Sequence, residues 1–464
     1  MRQRQPGTQT AQPSPSGDGH RIWFAQALRA VACLIVVLAH LGLLFPVAPQ
    51  ILAERGLFPP PGKVPYPGYI RFWFFLCAHK ISIADVGVAL FFLTSGFVIP
   101  ISLRRYTPRG FLLRRFFRLY PTLWVTQLLM LAVVWGQAHH YGVRFPHAWT
   151  TIALNTVMLS SYFGRPVIEG VYWTLYCEEV FYLTCTVCAW RGLLVKPRVV
   201  LVILALAGLP IVFQTVAPAG PPALWRTAFA CLATNLSFSV YIFIGVVLYH
   251  LYFGVWRPRL GAPLVVGVFG LYAVCAFAGP LHDTWAHPTV TLAGLIALAV
   301  FATLLCVNRW LPYSRFLDLL ADISYPLYLI HFTIGGIVIN AVYVRTGSFP
   351  LGLGVALTTV LALAALVSRF VERPSMRFGR RLAERRLARR AGASEPTAPS
   401  SAAHVPLDAR SAPIPSAEGR WDNQAGGSRY SGARNRERSK KRGLAPIFGA
   451  RPRLATDYWL LTTG

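Results

Sequence analysis

The sequence predicts an all-α fold: a polytopic membrane helical bundle of about ten transmembrane helices, with both termini in the cytoplasm. Three observations carry that expectation. Of 464 residues, 55% are hydrophobic and only 13% charged, which is too apolar for a soluble domain of this length. Apolar runs of span length recur near 23–45, 82–103, 116–136, 171–190, 199–217, 232–254, 261–280, 289–308, 319–343 and 350–371. The short connections between alternate runs are basic, with Arg104, Arg105, Arg109, Arg114, Arg191, Lys196, Arg257 and Arg309 among their residues, while the opposite connections are longer in total and carry fewer Lys and Arg. By the positive-inside rule those connections and both chain ends are cytoplasmic.

Residues 1–20 are rich in Gln, Pro, Gly and Ser and read as a disordered N-terminal tail without a cleavable signal. The first span then carries Arg29 near its start and His40 near its end. An ionisable group inside a membrane helix costs roughly 2.5–3.5 kcal/mol, so it normally faces a partner, a cavity or a substrate. Eleven residues at about 100° each bring the two to within about 20° of one face, about 16 Å apart along the axis. The alternative is that Arg29 snorkels to the headgroups and His40 is an interhelical hydrogen-bonder.

The aromatic segment 69–80, with Arg71, His79 and Lys80, reads as interfacial, and 149–163 as a second interfacial or re-entrant piece. The second span ends in Leu93-Thr94-Ser95-Gly96-Phe97, where small residues allow close approach of a helix or ligand. The next span opens with Arg114-Arg115-Phe116-Phe117-Arg118. Arg115 and Arg118 share a helix face, and paired guanidiniums suit phosphate or pyrophosphate. Topological retention explains the loop arginines well but Arg118, inside the apolar run, less well.

The fourth span begins Trp173-Thr174-Leu175-Tyr176-Cys177-Glu178-Glu179. Adjacent carboxylates point about 100° apart, so at most one faces a given site well. The expected topology puts Glu178 at a depth similar to His40, where a carboxylate can orient an imidazole. The eight cysteines suggest no disulfide framework, and Cys185-x-x-Cys188 reads as helix packing, so no metal site is expected. In the ninth span Ser324, Tyr328 and His331 share one face, with Pro326 kinking or capping the helix. About 10 Å of rise keeps Ser324 and His331 from bonding directly. The tenth span ends in Ser368-Arg369-Phe370-Val371-Glu372-Arg373-Pro374.

From residue 375 to 464 the chain is basic and rich in Pro, Ala, Ser and Gly, a largely disordered cytoplasmic tail suited to anionic lipid. The formal charge of +28 concentrates in the tails and a few loops, so it speaks for topology and membrane lipids, and no nucleic-acid partner is expected.

Six motifs now stand in one order: Arg29-x10-His40, the Gly87–Phe97 run with its Ser-Gly-Phe end, Arg115-x-x-Arg118, Trp173-Thr-Leu-x-x-Glu-Glu-x-Phe-Tyr-Leu, Ile323-Ser-Tyr-x-Leu-Tyr-Leu-x-His331, and Glu372-x-Pro374. In this the chain resembles the type 3 membrane acyltransferases over residues 21–374. Ala321, Cys177 and Val180 depart from that family's usual residues, at packing positions. The resemblance implies an integral membrane O-acyltransferase of a bacterial-type inner membrane, with no bound cofactor. Its donor substrate would be acyl-CoA, carrying an acetyl or other short acyl group. Its acceptor would be a sugar hydroxyl of a cell-surface glycan, glycolipid or glycosylated metabolite. His40 would be the general base, with Glu178 orienting or acidifying nearby groups, while Arg115, Arg118 and Arg29 would hold the donor's phosphates. Ser95, Trp173, Ser324, Tyr328, His331, Glu372 and Pro374 would complete the motif set. The rival expectations are a secondary transporter and a non-catalytic component of an envelope-polysaccharide assembly system.

Overall fold

A computed structural model describes residues 17–61, 64–65, 67–216, 224–278 and 287–393. Among these residues there is no strand. The helices are α1 (Gly17–Leu38), α2 (Phe45–Val47), α3 (Pro49–Gly56), α4 (Tyr69–Ala78), α5 (Ile83–Arg105), α6 (Pro108–His140), α7 (Trp149–Thr156) and α8 (Trp173–Trp190). They continue as α9 (Val199–Val216), α10 (Leu224–Tyr252), α11 (Pro258–Ala278), α12 (His287–Val307), α13 (Arg315–Thr346), α14 (Phe349–Val367) and α15 (Arg373–Ala393).

Local chemistry sets several starts. The hydroxyls of Ser82, Thr107, Ser314 and Ser348 accept backbone N–H groups three residues ahead, opening α5, α6, α13 and α14. Gly347, at φ +66°, closes α13 in the left-handed conformation. Pro326 lies inside the continuous α13 rather than at its first turn.

Eight helices among the described residues are long and apolar enough to cross a membrane, and the chain is a multi-pass membrane protein. The expected ten also include α8 and α9, of 18 residues each. The adjacent glutamates lower the hydropathy of α8, yet both are accommodated by partners inside the bundle. Aliphatic side chains such as Val266, Leu295 and Leu351 point outward, as a lipid-facing bundle requires.

α5 packs against α1, α10 and α12, and α13 against α14, α1 and α6. At the α5–α10 crossing Gly96 meets Gly245 so closely that a Cβ on either would strike the opposite backbone, Ile242 O in one case and Leu93 O in the other. This is the close approach that the Ser-Gly pair predicts.

Two helices contain π-helical turns, Ala39–Leu44 after α1 and Ser368–Glu372 after α14. A π turn inserts an extra residue and often marks a functional position. One holds His40 and the other ends on Glu372. Tyr69 of α4 donates its O–H to the Gly42 carbonyl inside the first turn, at 2.6 Å, tying the aromatic segment to it.

The tail expected from residue 375 begins differently. α15 continues as helix to Ala393, because Arg, Ala, Leu and Glu are good helix formers. It docks on α6 through Phe378 against Phe117 and through Ser375 O–H donated to the Phe117 carbonyl at 2.8 Å. The remainder of the expected tail, and residues 1–16 of the N-terminal one, lie outside the described residues.

Candidate functional site

Five helices, α1, α5, α6, α8 and α13, enclose a cavity of about 210 Å³. One end is cationic, with Arg29, Arg115 and Arg118. The other is apolar and aromatic, with Val88, Phe91, Phe92, Leu175 and Tyr328. Ser95, Glu178 and Ser324 also line it, so seven of the sequence-predicted residues meet in one space.

Among the described residues, no carboxylate clamps any of the three arginines. Arg115 donates to Ser102 Oγ at 3.3 Å, and its guanidinium lies 5.1 Å from the ring centres of Phe111 and Tyr182. Arg29 donates through Nη2 to the Ala321 carbonyl at 3.2 Å, and its buried Nε has no hydrogen-bond partner among the described residues. Glu178 and Glu372 are near enough for their charge to act on Arg29, but neither forms a direct ion pair with it. Guanidiniums so placed keep donors for an anionic ligand.

Glu178 and Glu179 diverge as adjacent helical residues must. Glu178 accepts from Ser95 O–H at 2.5 Å and from Tyr182 O–H at 2.8 Å inside the cavity. Glu179 turns to α6, where Tyr120 O–H donates to it at 2.5 Å. Tyr182 was absent from the sequence-predicted set, although its i+4 spacing from Glu178 was a usable signal.

The expected pairing of Glu178 with His40 is not what the fold makes. His40 Nδ1 lies 2.9 Å from His331 Nε2, and the two rings stack with centres 5.2 Å apart. The reason is geometric: α13 runs alongside α1, whereas α5 brings Ser95 to Glu178 first. His331 is fully buried, and its Nδ1 faces the Tyr328 and Leu327 carbonyls at 2.9 and 3.2 Å. A ring nitrogen facing carbonyls carries the proton, so neutral His331 accepts at Nε2 and His40 donates from Nδ1. That tautomer leaves the basic lone pair of His40 on Nε2. Neither histidine lines the cavity; the Tyr328 ring, 5.8 Å from that of His331, stands between.

The other motif residues support this core. Tyr328 O–H and Thr174 Oγ share a hydrogen bond of 3.0 Å, joining α13 to α8. Ser324 O–H is spent on the Ala321 carbonyl at 2.7 Å, and the Ser324 carbonyl accepts from the Cys33 thiol. Glu372 is buried at the π turn, close enough to Arg118 and Arg29 to feel both charges. Pro374 is the second residue of α15. Trp173 lies outside the main cavity, its ring 6.2 Å from Phe92.

The family model described as "Acyltransferase domain" matches residues 22–369. The chain belongs to that acyltransferase family. Two relatives are each 27% identical to it. One is "Acyltransferase MdmB" of Streptomyces mycarofaciens, aligned over 331 residues, 65% of this chain and 84% of the relative. The other is "Nodulation protein 10" of Rhizobium leguminosarum bv. viciae, aligned over 333 residues with the same coverage. No solved structure matches. The matched region contains the whole cavity and the histidine pair of this acyltransferase-family membrane protein and leaves out the tail.

Proposed function

We propose that this protein is an inner-membrane O-acyltransferase that moves a short acyl group from acyl-CoA to a sugar hydroxyl of a cell-surface glycan, glycolipid or glycosylated metabolite. The observation that carries the reading is the cavity itself: three guanidiniums without carboxylate clamps at one end and an apolar wall at the other. Acyl-CoA has that polarity, with its phosphates at one end and its acyl group at the other. Arg115 and Arg118 take the phosphates, with Arg29 and the buried Glu372 behind them. With both termini cytoplasmic, the arginine end opens toward the compartment that supplies acyl-CoA.

The acceptor hydroxyl loses its proton to His40 Nε2 as its oxygen attacks the thioester carbonyl. The carbon–sulfur bond breaks, and the proton passes to the departing CoA thiolate, so no proton is lost or gained overall. His331 fixes the His40 tautomer through Nε2 and takes up part of the positive charge that forms. The thioester reaches the Tyr328 ring from the cavity and the hydroxyl approaches from the histidine side, so that ring has to swing aside for the two to meet within reach of His40 Nε2. General-base catalysis typically supplies 10²–10⁴-fold.

A second assignment of the base has one specific observation behind it: Glu178 lines the cavity and His40 does not. Two variants separate them. Under the histidine mechanism His40→Ala loses at least ~10²-fold of acyl transfer at normal abundance, and Glu178→Gln keeps a measurable rate with the same pH profile. The reverse pattern makes Glu178 the base. The substrate classes are tested by mass spectrometry of glycans and small metabolites from cells with and without the protein. A mass difference other than an added acyl group, or none, would sink the reading.

A further inference from the structure

A second, smaller cavity lies beyond the apolar end of the first. Its volume is about 20 Å³. Val88 and Phe92 line both spaces, so these two side chains form the partition. Ala89, Phe238, Tyr272 and Val290 complete most of the wall, and Asp85 closes the far end. The aromatic rings are locked against one another, Trp173 at 5.1 Å from Phe238 and Tyr241 at 4.8 Å from Tyr272. Tyr241 is further fixed by donating its O–H to the Gly294 carbonyl at 2.8 Å. The space is therefore of defined size.

Position along α5 orders the two cavities. From Ile99 beside the arginines to Val88 at the partition is eleven residues, about 16 Å of helix. A donor with its phosphates on Arg115 and Arg118 extends along this length with its acyl carbon leading. In that direction, past Val88 and Phe92, lies the second cavity. A volume of about one water-sized sphere accepts a methyl group and not a propyl chain. Beyond it stands Asp85, three residues after the capping Ser82, with its backbone N–H on Ser82 Oγ at 3.3 Å. A carboxylate at the end of an apolar slot opposes any chain long enough to reach it.

We propose that this second cavity is the acyl subsite of the enzyme and that it selects an acetyl donor. Val88 and Phe92 frame its entrance, Ala89, Phe238 and Val290 set its size, and Asp85 repels a chain that has no room to turn aside. The inference rests on the first cavity being the donor site. Neither cavity wall distinguishes propionyl sharply, so the discriminating comparison is acetyl against butyryl.

The test is equilibrium binding of CoA, acetyl-CoA, butyryl-CoA and hexanoyl-CoA to the full-length protein in lipid nanodiscs. The parent should bind acetyl-CoA at least as tightly as CoA, and butyryl-CoA at least tenfold more weakly than acetyl-CoA. The enlarging pair Phe238→Leu and Val290→Ala should bring butyryl-CoA to within threefold of acetyl-CoA. The filling variant Ala89→Val should weaken acetyl-CoA relative to CoA by about fourfold, the value of one buried methyl. If the parent binds CoA but treats all chain lengths alike, the subsite is wrong and the donor site stands. A tenfold gap that persists in the enlarged cavity overturns the subsite in the same way. Should the enlarging pair fail to fold, an unchanged acetyl-CoA to CoA ratio in Ala89→Val overturns the subsite alone. If CoA itself does not bind the parent, the donor site fails and the subsite falls with it.

Discussion

Single side chains in this bundle owe their chemistry to which neighbour reaches them first. Glu178 is bound by Ser95 and Tyr182 before any imidazole comes near, so His40 takes His331 instead. Tyr182→Phe removes one donor from a carboxylate while keeping the ring under Arg115. A hydrogen bond to a charged group is worth about 1.5–3 kcal/mol, so acyl transfer should fall by about one to two orders of magnitude with protein abundance unchanged. Rates within twofold of the parent would mean that the Tyr182 hydroxyl does not support Glu178.

Glu169, outside the spans, makes a separate prediction. It is fully buried in the segment before α8, and among the described residues neither carboxyl oxygen has a hydrogen-bond partner of good geometry. Burial pushes its pKa from the ordinary 4.5 up to about 7, against the opposing pull of Thr333 and Arg55. The folded state thus holds the proton more tightly than the unfolded chain. Its contribution to stability is fully present below about pH 4.5 and is lost as pH rises toward about 7. The Tm in detergent should fall between pH 5 and 8, and Glu169→Gln should flatten that slope. An equal slope in the variant would remove Glu169 as its source.

Among the elements, the α5–α10 crossing is the least forgiving. Gly96→Ala and Gly245→Ala each place a methyl group against opposing backbone, whereas a Cβ at Gly267 of α11 meets nothing within 4 Å. Either of the first two should lower Tm and membrane-extracted yield far more than Gly267→Ala. Overpacking of this kind costs typically 1–3 kcal/mol. Because Ser95 is next to Gly96, the same variants should also disturb the Ser95–Glu178 bond. Equal Tm values across all three would mean that the crossing has slack. The π turns belong to this scale too: an inserted residue re-aims His40 and Glu372 within otherwise regular helices, which no hydrophobic periodicity announces.

For the whole molecule, the packed helices extend further along the chain than composition suggests. α15 is basic throughout its length, yet it packs on the stretch of α6 that carries Arg115 and Arg118 on either side of Phe117. A chain ending after Ala393 should keep donor binding and transfer at parental levels. A chain ending after Pro374 loses Phe378 and Ser375 from that contact and should bind acyl-CoA at least several-fold more weakly. Full donor affinity in the shorter chain would show that α15 only coats the bundle. Reporter fusions at the two ends test the proposed orientation, with a cytoplasmic signal expected from both.

The sequence by itself determined the all-helical membrane class and the charged residues of the main cavity. Apolar length and the cost of unpaired backbone in lipid leave few folds open, and an ionisable residue inside a span declares itself through its expense. Thus Arg29, Arg115, Arg118 and Glu178 could be named from their positions alone, and they do line one cavity. Tertiary structure decided the pairings. His40 with His331, Ser95 with Glu178 and Phe117 with Phe378 are contacts between residues 83 to 291 positions apart. Helical period states which face a residue occupies but not which helix will lie against it. Side-chain size at one crossing, such as Gly96 on Gly245, sets that neighbour for the whole bundle. The second cavity was illegible for the same reason: its wall comes from α5, α8, α10, α11 and α12. Only their packing turns an ordinary set of aromatic and aliphatic residues into a space of fixed depth.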